Sequence, residues 1–134
     1  MLVNALWELP QNVLGATLLG AQAALGATLA VELDRERLFV RTRQVAVSLG
    51  FFVFWCEGES RYFVLDRWVR DHEYGHTFQS RWLGPLYLPL VGVPSTMRVL
   101  YAIAHRELTG SRWNGYFDGY PERWADRLGG VRRG

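Results

Sequence analysis

The N-terminal part of the chain contains a long segment without charge. No charged residue occurs from Pro10 to Val31, and the segment from Val13 to Ala30 is mainly apolar. Small residues recur in it at every fourth position: Ala16, Gly20, Ala24 and Thr28. A helix needs about 20 apolar residues to cross a bilayer, and a ridge of small residues lets membrane helices pack closely. The pattern predicts an apolar helix in residues 1–33 that acts as a membrane anchor.

The main alternative for this segment is a helix buried in a soluble core. Gln11, Asn12 and Gln22 favour the alternative, because polar side chains are unfavourable in a bilayer. A cleaved signal peptide is disfavoured, because no Lys or Arg precedes Arg35. If the helix spans a membrane, the arginines that begin at Arg35 place the rest of the chain in the cytoplasm.

The next segment is rich in β-branched and aromatic residues. Leu38 to Thr42 and Val45 to Trp55 have the composition of strands. Glu57 to Ser60 has the composition of a turn, and Arg61 to Leu65 completes a predicted hairpin. A sheet edge beside a functional site can hold an extended peptide by main-chain hydrogen bonds. An ordinary core hairpin is the alternative.

Helical patterns dominate the second half of the chain. Asp66 to Leu83 begins with a capping residue, lacks proline and ends at a Gly-Pro pair, which predicts a helix. Its internal Gly75 costs up to about 1 kcal/mol relative to Ala, which indicates a closely packed neighbour. Three prolines between Leu83 and Pro94 exclude one regular helix there. Further helices are predicted at Ser95 to Leu108 and at Pro121 to Leu128.

Composition excludes some classes of function. The formal charge is only +2, and the fifteen basic residues, all of them Arg, are scattered, so nucleic acid is not an expected partner. The single cysteine, Cys56, excludes an intrachain disulfide. Because Cys56 follows an aromatic run, we predict a buried apolar residue there and not a metal ligand.

Two of the three histidines of the chain, His72 and His76, form the sequence His-Glu-x-x-His. Residues four apart lie on the same face of a helix, so both imidazoles can reach one ion with Glu73 beside them. A catalytic zinc takes three protein ligands and a water, and a neighbouring glutamate can accept the proton of that water. The motif predicts a zinc site with Glu73 as general base. The alternative is a solvated, charged helix.

A third ligand has to come from elsewhere in the chain. The metzincin class is excluded, because Gln79 and Trp82 stand where that class has Gly and His. Glu122 and Asp126 share one face of the last predicted helix, and like charges at this spacing indicate a nearby cation. We predict Glu122 as the third ligand, with Asp126 accepting the outer N–H of a ligand histidine.

Other assignments of these residues remain open. Glu122 is alternatively a surface carboxylate paired with Arg123 or Arg127, and the rival third ligands are Asp118 and His105.

The sequence His-Glu-x-x-His followed by Glu-x-x-Ala-Asp resembles the gluzincin metallopeptidases, including their membrane-bound HtpX-like members. The resemblance covers two short segments around these motifs, about 20 of the 134 residues. It implies Zn²⁺ as cofactor, Glu122 as the third ligand and Asp126 as the partner of a ligand histidine. This chain is much shorter than those proteases, so their chambers and specificity subdomains are not expected.

The sequence thus predicts a zinc metalloendopeptidase that cleaves peptide or protein substrates and is associated with a membrane. Residues 1–33 form the anchor, and residues 34–134 form a minimal zincin-like domain of the α+β class, mostly helical with a small hairpin or sheet. Four residues are candidates for the side chain that donates a hydrogen bond to the oxyanion: Tyr116, Tyr120, His105 and Arg112. The alternative is a non-catalytic scaffold of the membrane surface with a structural zinc site. Glu73 favours the enzyme, because a structural site needs no base.

Overall fold

The computed structural model describes residues 2–133, which form five helices, a four-stranded mixed sheet and a separate two-stranded antiparallel sheet. The fold is α+β. The strands are β1 (Thr28–Asp34), β2 (Arg37–Thr42), β3 (Val47–Leu49), β4 (Phe52–Trp55), β5 (Gly58–Glu59) and β6 (Val64–Leu65). The helices are α1 (Leu2–Trp7), α2 (Leu9–Ala24), α3 (Val69–Leu83), α4 (Val93–Thr109) and α5 (Glu122–Gly129).

The main sheet has the strand order β1-β2-β4-β3. Strand β2 runs parallel to β4, whereas β1 and β3 are antiparallel to their neighbours. The central strands supply apolar side chains to the core, with Phe39 opposite Val53 and Val40 opposite Phe54, all four buried. Strand β3 forms one edge of the sheet and contacts α3, so it lies beside the predicted metal helix.

Helix α3 packs against α5 at unusually short range. A Cβ atom added at Gly75 would lie 1.9 Å from the carbonyl oxygen of Ala125. A Cβ atom added at Gly129 would lie 2.0 Å from the carbonyl oxygen of Asp71. The two helix backbones therefore touch, which agrees with the closely packed neighbour that Gly75 indicates. This contact brings the residues of α5 to the histidines of α3.

The predicted membrane-spanning helix in residues 1–33 is wrong. The segment folds as two helices and a strand, because the chain leaves α2 at Ala24 and turns through Gly26, whose φ is +67°, into β1. Helix α2 has only 16 residues. Within residues 2–133, no helix combines the length and the apolar character needed to cross a membrane.

Buried polar contacts hold this N-terminal segment against the rest of the chain. Glu8, just before α2, pairs with Arg37 of β2 at 3.2 Å. The buried amide of Gln11 donates hydrogen bonds to the Ser80 hydroxyl and the Gly84 carbonyl oxygen, each at 2.9 Å. Polar side chains that look isolated in the sequence thus have partners on α3 and the sheet. This explains why the segment packs on the fold instead of forming one long apolar helix.

Most other predicted elements differ only at their ends. The predicted hairpin is an exception, because Glu57 to Ser60, predicted as a turn, contains strand β5, which pairs with β6. The predicted strand from Val45 to Trp55 is interrupted at Gly50, whose φ is +65°, and becomes β3 and β4. The proline-rich segment forms a 3₁₀ turn at Gly84–Leu86 and a π-helical turn at Leu88–Gly92, which leads into α4. Helix α4 ends at Gly110, in the left-handed conformation, as the sequence indicates.

Candidate metal centre

Helices α3 and α5 together bury a cluster of imidazoles and carboxylates. His72, Glu73 and His76 lie on one face of α3, and their ligand atoms are within 4.8 Å of one another. Helix α5 adds Glu122, which is fully buried, and Asp126, which is nearly so. Because Glu122 is buried, the alternative of a surface carboxylate paired with arginine is not supported.

One oxygen of Glu122 faces both motif histidines. Glu122 Oε2 is 2.8 Å from His72 Nε2 and 2.9 Å from His76 Nε2. Burial alone would raise the pKa of Glu122, but hydrogen bonds from the two imidazoles outweigh it and hold the pKa well below its usual range. The group is therefore an ionised carboxylate, as a metal ligand has to be.

The outer nitrogen of His72 contacts Asp126, with Nδ1 2.7 Å from Oδ1. Burial opposes ionisation of Asp126, but hydrogen bonds from His72 and Arg133 outweigh it and lower its pKa. An ionised carboxylate only accepts hydrogen bonds, so Nδ1 carries the proton that is donated to it. Burial lowers the pKa of His72, but hydrogen bonds with Asp126 and Glu122 outweigh it and raise the pKa to about 9, so both ring nitrogens are protonated in the metal-free chain. An ion that binds here has to displace the proton from Nε2, while Nδ1–H stays with Asp126.

Gln79 orients His76 in the same way, and this role is not predicted from the sequence. Its Oε1 lies 2.6 Å from His76 Nδ1, and its Nε2 donates to the Pro121 carbonyl oxygen at 3.1 Å. The second bond fixes the orientation of the amide, so Oε1 is the acceptor and His76 Nδ1 the donor. The signal for this residue was the spacing of three between His76 and Gln79, which puts both on one helix face.

Glu73 is buried and bonded to the edge strand β3. The Ser48 hydroxyl lies 3.0 Å from Glu73 Oε2 and also contacts the Glu73 backbone carbonyl. Burial raises the pKa of Glu73, while charge on His76 and His72 opposes that shift. Ser48 was not predicted, and its sequence position 25 residues before Glu73 gives no local signal. A carboxylate with a raised pKa beside a metal ligand is suited to proton transfer.

Of the four candidate oxyanion donors, Tyr116 alone contacts this cluster. Its hydroxyl donates to Glu122 Oε1 at 3.3 Å, and Ser95 also hydrogen-bonds that oxygen. The other three donors are engaged elsewhere: Tyr120 with the Leu90 carbonyl, His105 with the Ser111 carbonyl and Arg112 with the Ser60 carbonyl. The two rival third ligands are also not part of the cluster. Asp118 is exposed, and His105 lies near the end of α4.

The donor set fits a zinc ion. Two imidazole nitrogens and one carboxylate oxygen converge, which is the composition of a three-ligand catalytic site. Ligand atoms at about 2.0–2.1 Å from a tetrahedral ion are about 3.3–3.4 Å apart. His72 Nε2 and Glu122 Oε2 are 2.8 Å apart. Their distance therefore has to increase by only about 0.5 Å for the ion to bind between them.

A cavity of about 570 Å³ opens beside Glu73 and His76 and gives the cluster an open side. A catalytic zinc site needs such access for water and substrate. Comparisons of the chain with protein-family models, curated proteins and solved structures find no match. The resemblance to gluzincins therefore stays a prediction, and the function has to be inferred from the chemistry of the site.

Proposed function

We propose that this protein is a zinc-dependent metallopeptidase in which His72, His76 and Glu122 hold the ion. The observation that carries the proposal is the position of Glu122 Oε2 between the two Nε2 atoms, 2.8 and 2.9 Å away. Histidines four residues apart occur in many helices, but a buried carboxylate from another helix directed at both is the ligand set of a hydrolase. Bound zinc supplies Lewis acidity toward a carbonyl group and toward water.

Glu73 acts as the general base in this proposal. Its carboxylate takes a proton from the attacking water and delivers it to the amine that leaves when the peptide C–N bond breaks. Ser48 holds Oε2 at 3.0 Å, which fixes the carboxylate against β3. The cavity beside Glu73 gives water and substrate access to it.

Other residues of the cluster orient the groups that react. Asp126 and Gln79 fix the imidazoles so that both Nε2 atoms face Glu122. Burial, followed by the charge of Glu122, raises the pKa of Tyr116 well above its usual range. Tyr116 therefore keeps its proton, which it donates to Glu122 Oε1 in the structure. Rotation of this hydroxyl toward the substrate would let it donate instead to developing negative charge.

The test combines metal analysis with a hydrolysis assay on an unfolded, fluorescently labelled protein. We expect one zinc per chain in the wild type and loss of zinc in His76→Ala. Glu73→Gln should keep zinc but lose hydrolysis about 100- to 10,000-fold, because the amide cannot accept a proton. Glu57→Gln makes the same change at an exposed position and should behave as wild type.

Two outcomes would contradict the proposal. Absence of zinc from carefully prepared wild type removes the metal site. Hydrolysis that is unchanged in Glu73→Gln removes Glu73 from the role of base. Zinc retention without hydrolysis in the wild type on any unfolded substrate would favour the alternative, a binding protein with a structural ion.

A further inference from the structure

The cavity next to Glu73 and His76 differs in chemistry from the metal cluster that it adjoins. Helix α2, strand β3, the π-helical turn and helix α4 all contribute to its walls. Its apolar lining includes Leu14, Val47, Leu49, Leu88, Val93 and Met97. Because Glu73 and His76 form part of the same wall, a group that fills the cavity lies directly beside the reacting atoms.

The lining offers no partner for a charged group. Glu73 and His76 are the acidic and basic side chains that line the cavity, and both belong to the metal centre. A charged side chain that packs against this lining would lose part of its hydration without gaining an ion pair, which is unfavourable. The cavity therefore selects against Asp, Glu, Lys and Arg side chains.

The hydroxyl groups of the lining are already engaged. Ser48 donates to Glu73, Ser95 donates to Glu122, and Thr96 donates to the Gly92 carbonyl at 2.8 Å. Two tyrosines also belong to the lining: Tyr87 donates to the Ser48 carbonyl at 3.0 Å, and Tyr116 donates to Glu122 Oε1 at 3.3 Å. With these protons committed to the chain itself, the cavity presents mainly apolar surface to a ligand.

The size of the cavity fits a large side chain. Its volume of about 570 Å³ lies in the range of roughly 300–1,000 Å³ that is typical of ligand pockets. A leucine, methionine or phenylalanine side chain and the adjoining backbone can enter a space of this size. A small side chain such as Ala would leave most of the apolar wall without contact.

We propose that this cavity is a specificity pocket that selects peptides with a large, uncharged apolar residue next to the cleaved bond. The inference depends on the proposed peptidase function and names its substrate class. The position of the pocket at Glu73 and His76, its apolar walls and its committed hydroxyl groups support it.

The experiment measures binding to the zinc-loaded protein and needs no turnover. Three hydroxamates are compared by calorimetry: acetohydroxamate, one with an isobutyl side chain and one with a carboxymethyl side chain. The hydroxamate group reports on the metal, and the side chain reports on the pocket. We expect the isobutyl compound to bind roughly 10- to 100-fold more tightly than acetohydroxamate, because it buries a leucine-sized group. The carboxymethyl compound should gain nothing.

A matched pair of variants assigns the effect to the pocket. Met97 lines the cavity and is 63% exposed, whereas Leu100 on the same helix is 59% exposed and lies outside the lining. Met97→Arg should weaken binding of the isobutyl compound and strengthen binding of the carboxymethyl compound. Leu100→Arg adds the same charge and should leave both affinities as in the wild type.

The outcomes separate the two proposals. If acetohydroxamate does not bind the zinc-loaded protein, the catalytic metal site fails and the specificity pocket fails with it. If acetohydroxamate binds but the isobutyl group brings no gain, the peptidase proposal stands and the specificity pocket is refuted. Equal effects of Met97→Arg and Leu100→Arg would likewise refute the assignment to this cavity.

Discussion

Gly75→Ala tests how closely α3 and α5 have to approach to build the metal centre. In an isolated helix this change stabilises by up to about 1 kcal/mol, because glycine is the poorer helix former. In the folded chain the new methyl group would lie 1.9 Å from the Ala125 carbonyl oxygen and 2.7 Å from its carbon. Both atoms belong to the backbone of α5, so no side-chain rotation can relieve the contact.

The loss of stability in Gly75→Ala can be estimated from the distance by which α3 and α5 have to separate. Ordinary contact begins near 3.4 Å, so the helices have to separate by about 1.5 Å at this point. Overpacking of this kind typically costs about 1–3 kcal/mol, which outweighs the gain in helix propensity. The same movement carries Glu122 and Asp126 away from His72, which they now contact at 2.8 and 2.7 Å. Zinc affinity should therefore fall by at least the roughly 10- to 100-fold that loss of an outer partner causes.

Urea unfolding of the metal-free protein and competition with a zinc chelator measure the two effects separately. Gly20→Ala is the matched control, because Gly20 lies inside α2 and a Cβ atom there would meet no atom within 4 Å. The free energy of unfolding of Gly20→Ala should rise by about 0.5–1 kcal/mol, and its zinc affinity should be unchanged. A Gly75→Ala variant that gains stability as Gly20→Ala does, with unchanged zinc affinity, would refute the close approach of α3 and α5.

Two further changes examine individual side chains of the centre by chelator competition. The zinc affinity of Glu122→Gln should fall further than that of Asp126→Asn. Loss of a direct ligand has a larger effect than the roughly 10- to 100-fold loss of affinity caused by removing an outer partner. The reverse order would exchange the roles of the two residues. Gln79→Ala should weaken zinc binding about tenfold, because His76 loses the acceptor that orients it. Gln22→Ala in α2 is its control, and equal zinc affinities in the two variants would exclude this role for Gln79.

Helix α3 could be predicted from the sequence because its signals are local. The helix predicted at Asp66 to Leu83 is observed as Val69–Leu83, and its face is set by the spacing of the two histidines. The sequence also predicted that Glu122 and Asp126 lie near that face. Two like charges one turn apart on a helix repel each other, and a nearby cation relieves the repulsion. Like-charged residues without a local partner of opposite charge can thus indicate a contact that is distant in sequence.

The N-terminal segment was mispredicted because its decisive contacts are distant in sequence. Gln11 looks like an isolated polar residue at the start of an apolar run, but its partners Ser80 and Gly84 lie 69 and 73 positions away. Glu8 similarly depends on Arg37. Hydropathy measures composition along the chain and contains no information about such pairing.

The charge balance of the buried cluster gives a separate argument for a divalent ion. Glu73, Glu122 and Asp126 are all buried, and Arg133 pairs with Asp126 at 2.8 Å. In the metal-free chain protonated His72 compensates part of the negative charge. When both imidazoles are neutral, as metal binding requires, three ionised carboxylates beside one arginine leave two negative charges, and buried charge without compensation is strongly unfavourable. A divalent ion bound by neutral imidazoles cancels those two charges. A monovalent ion would leave one of them in place, so this count favours a divalent ion in the proposed site.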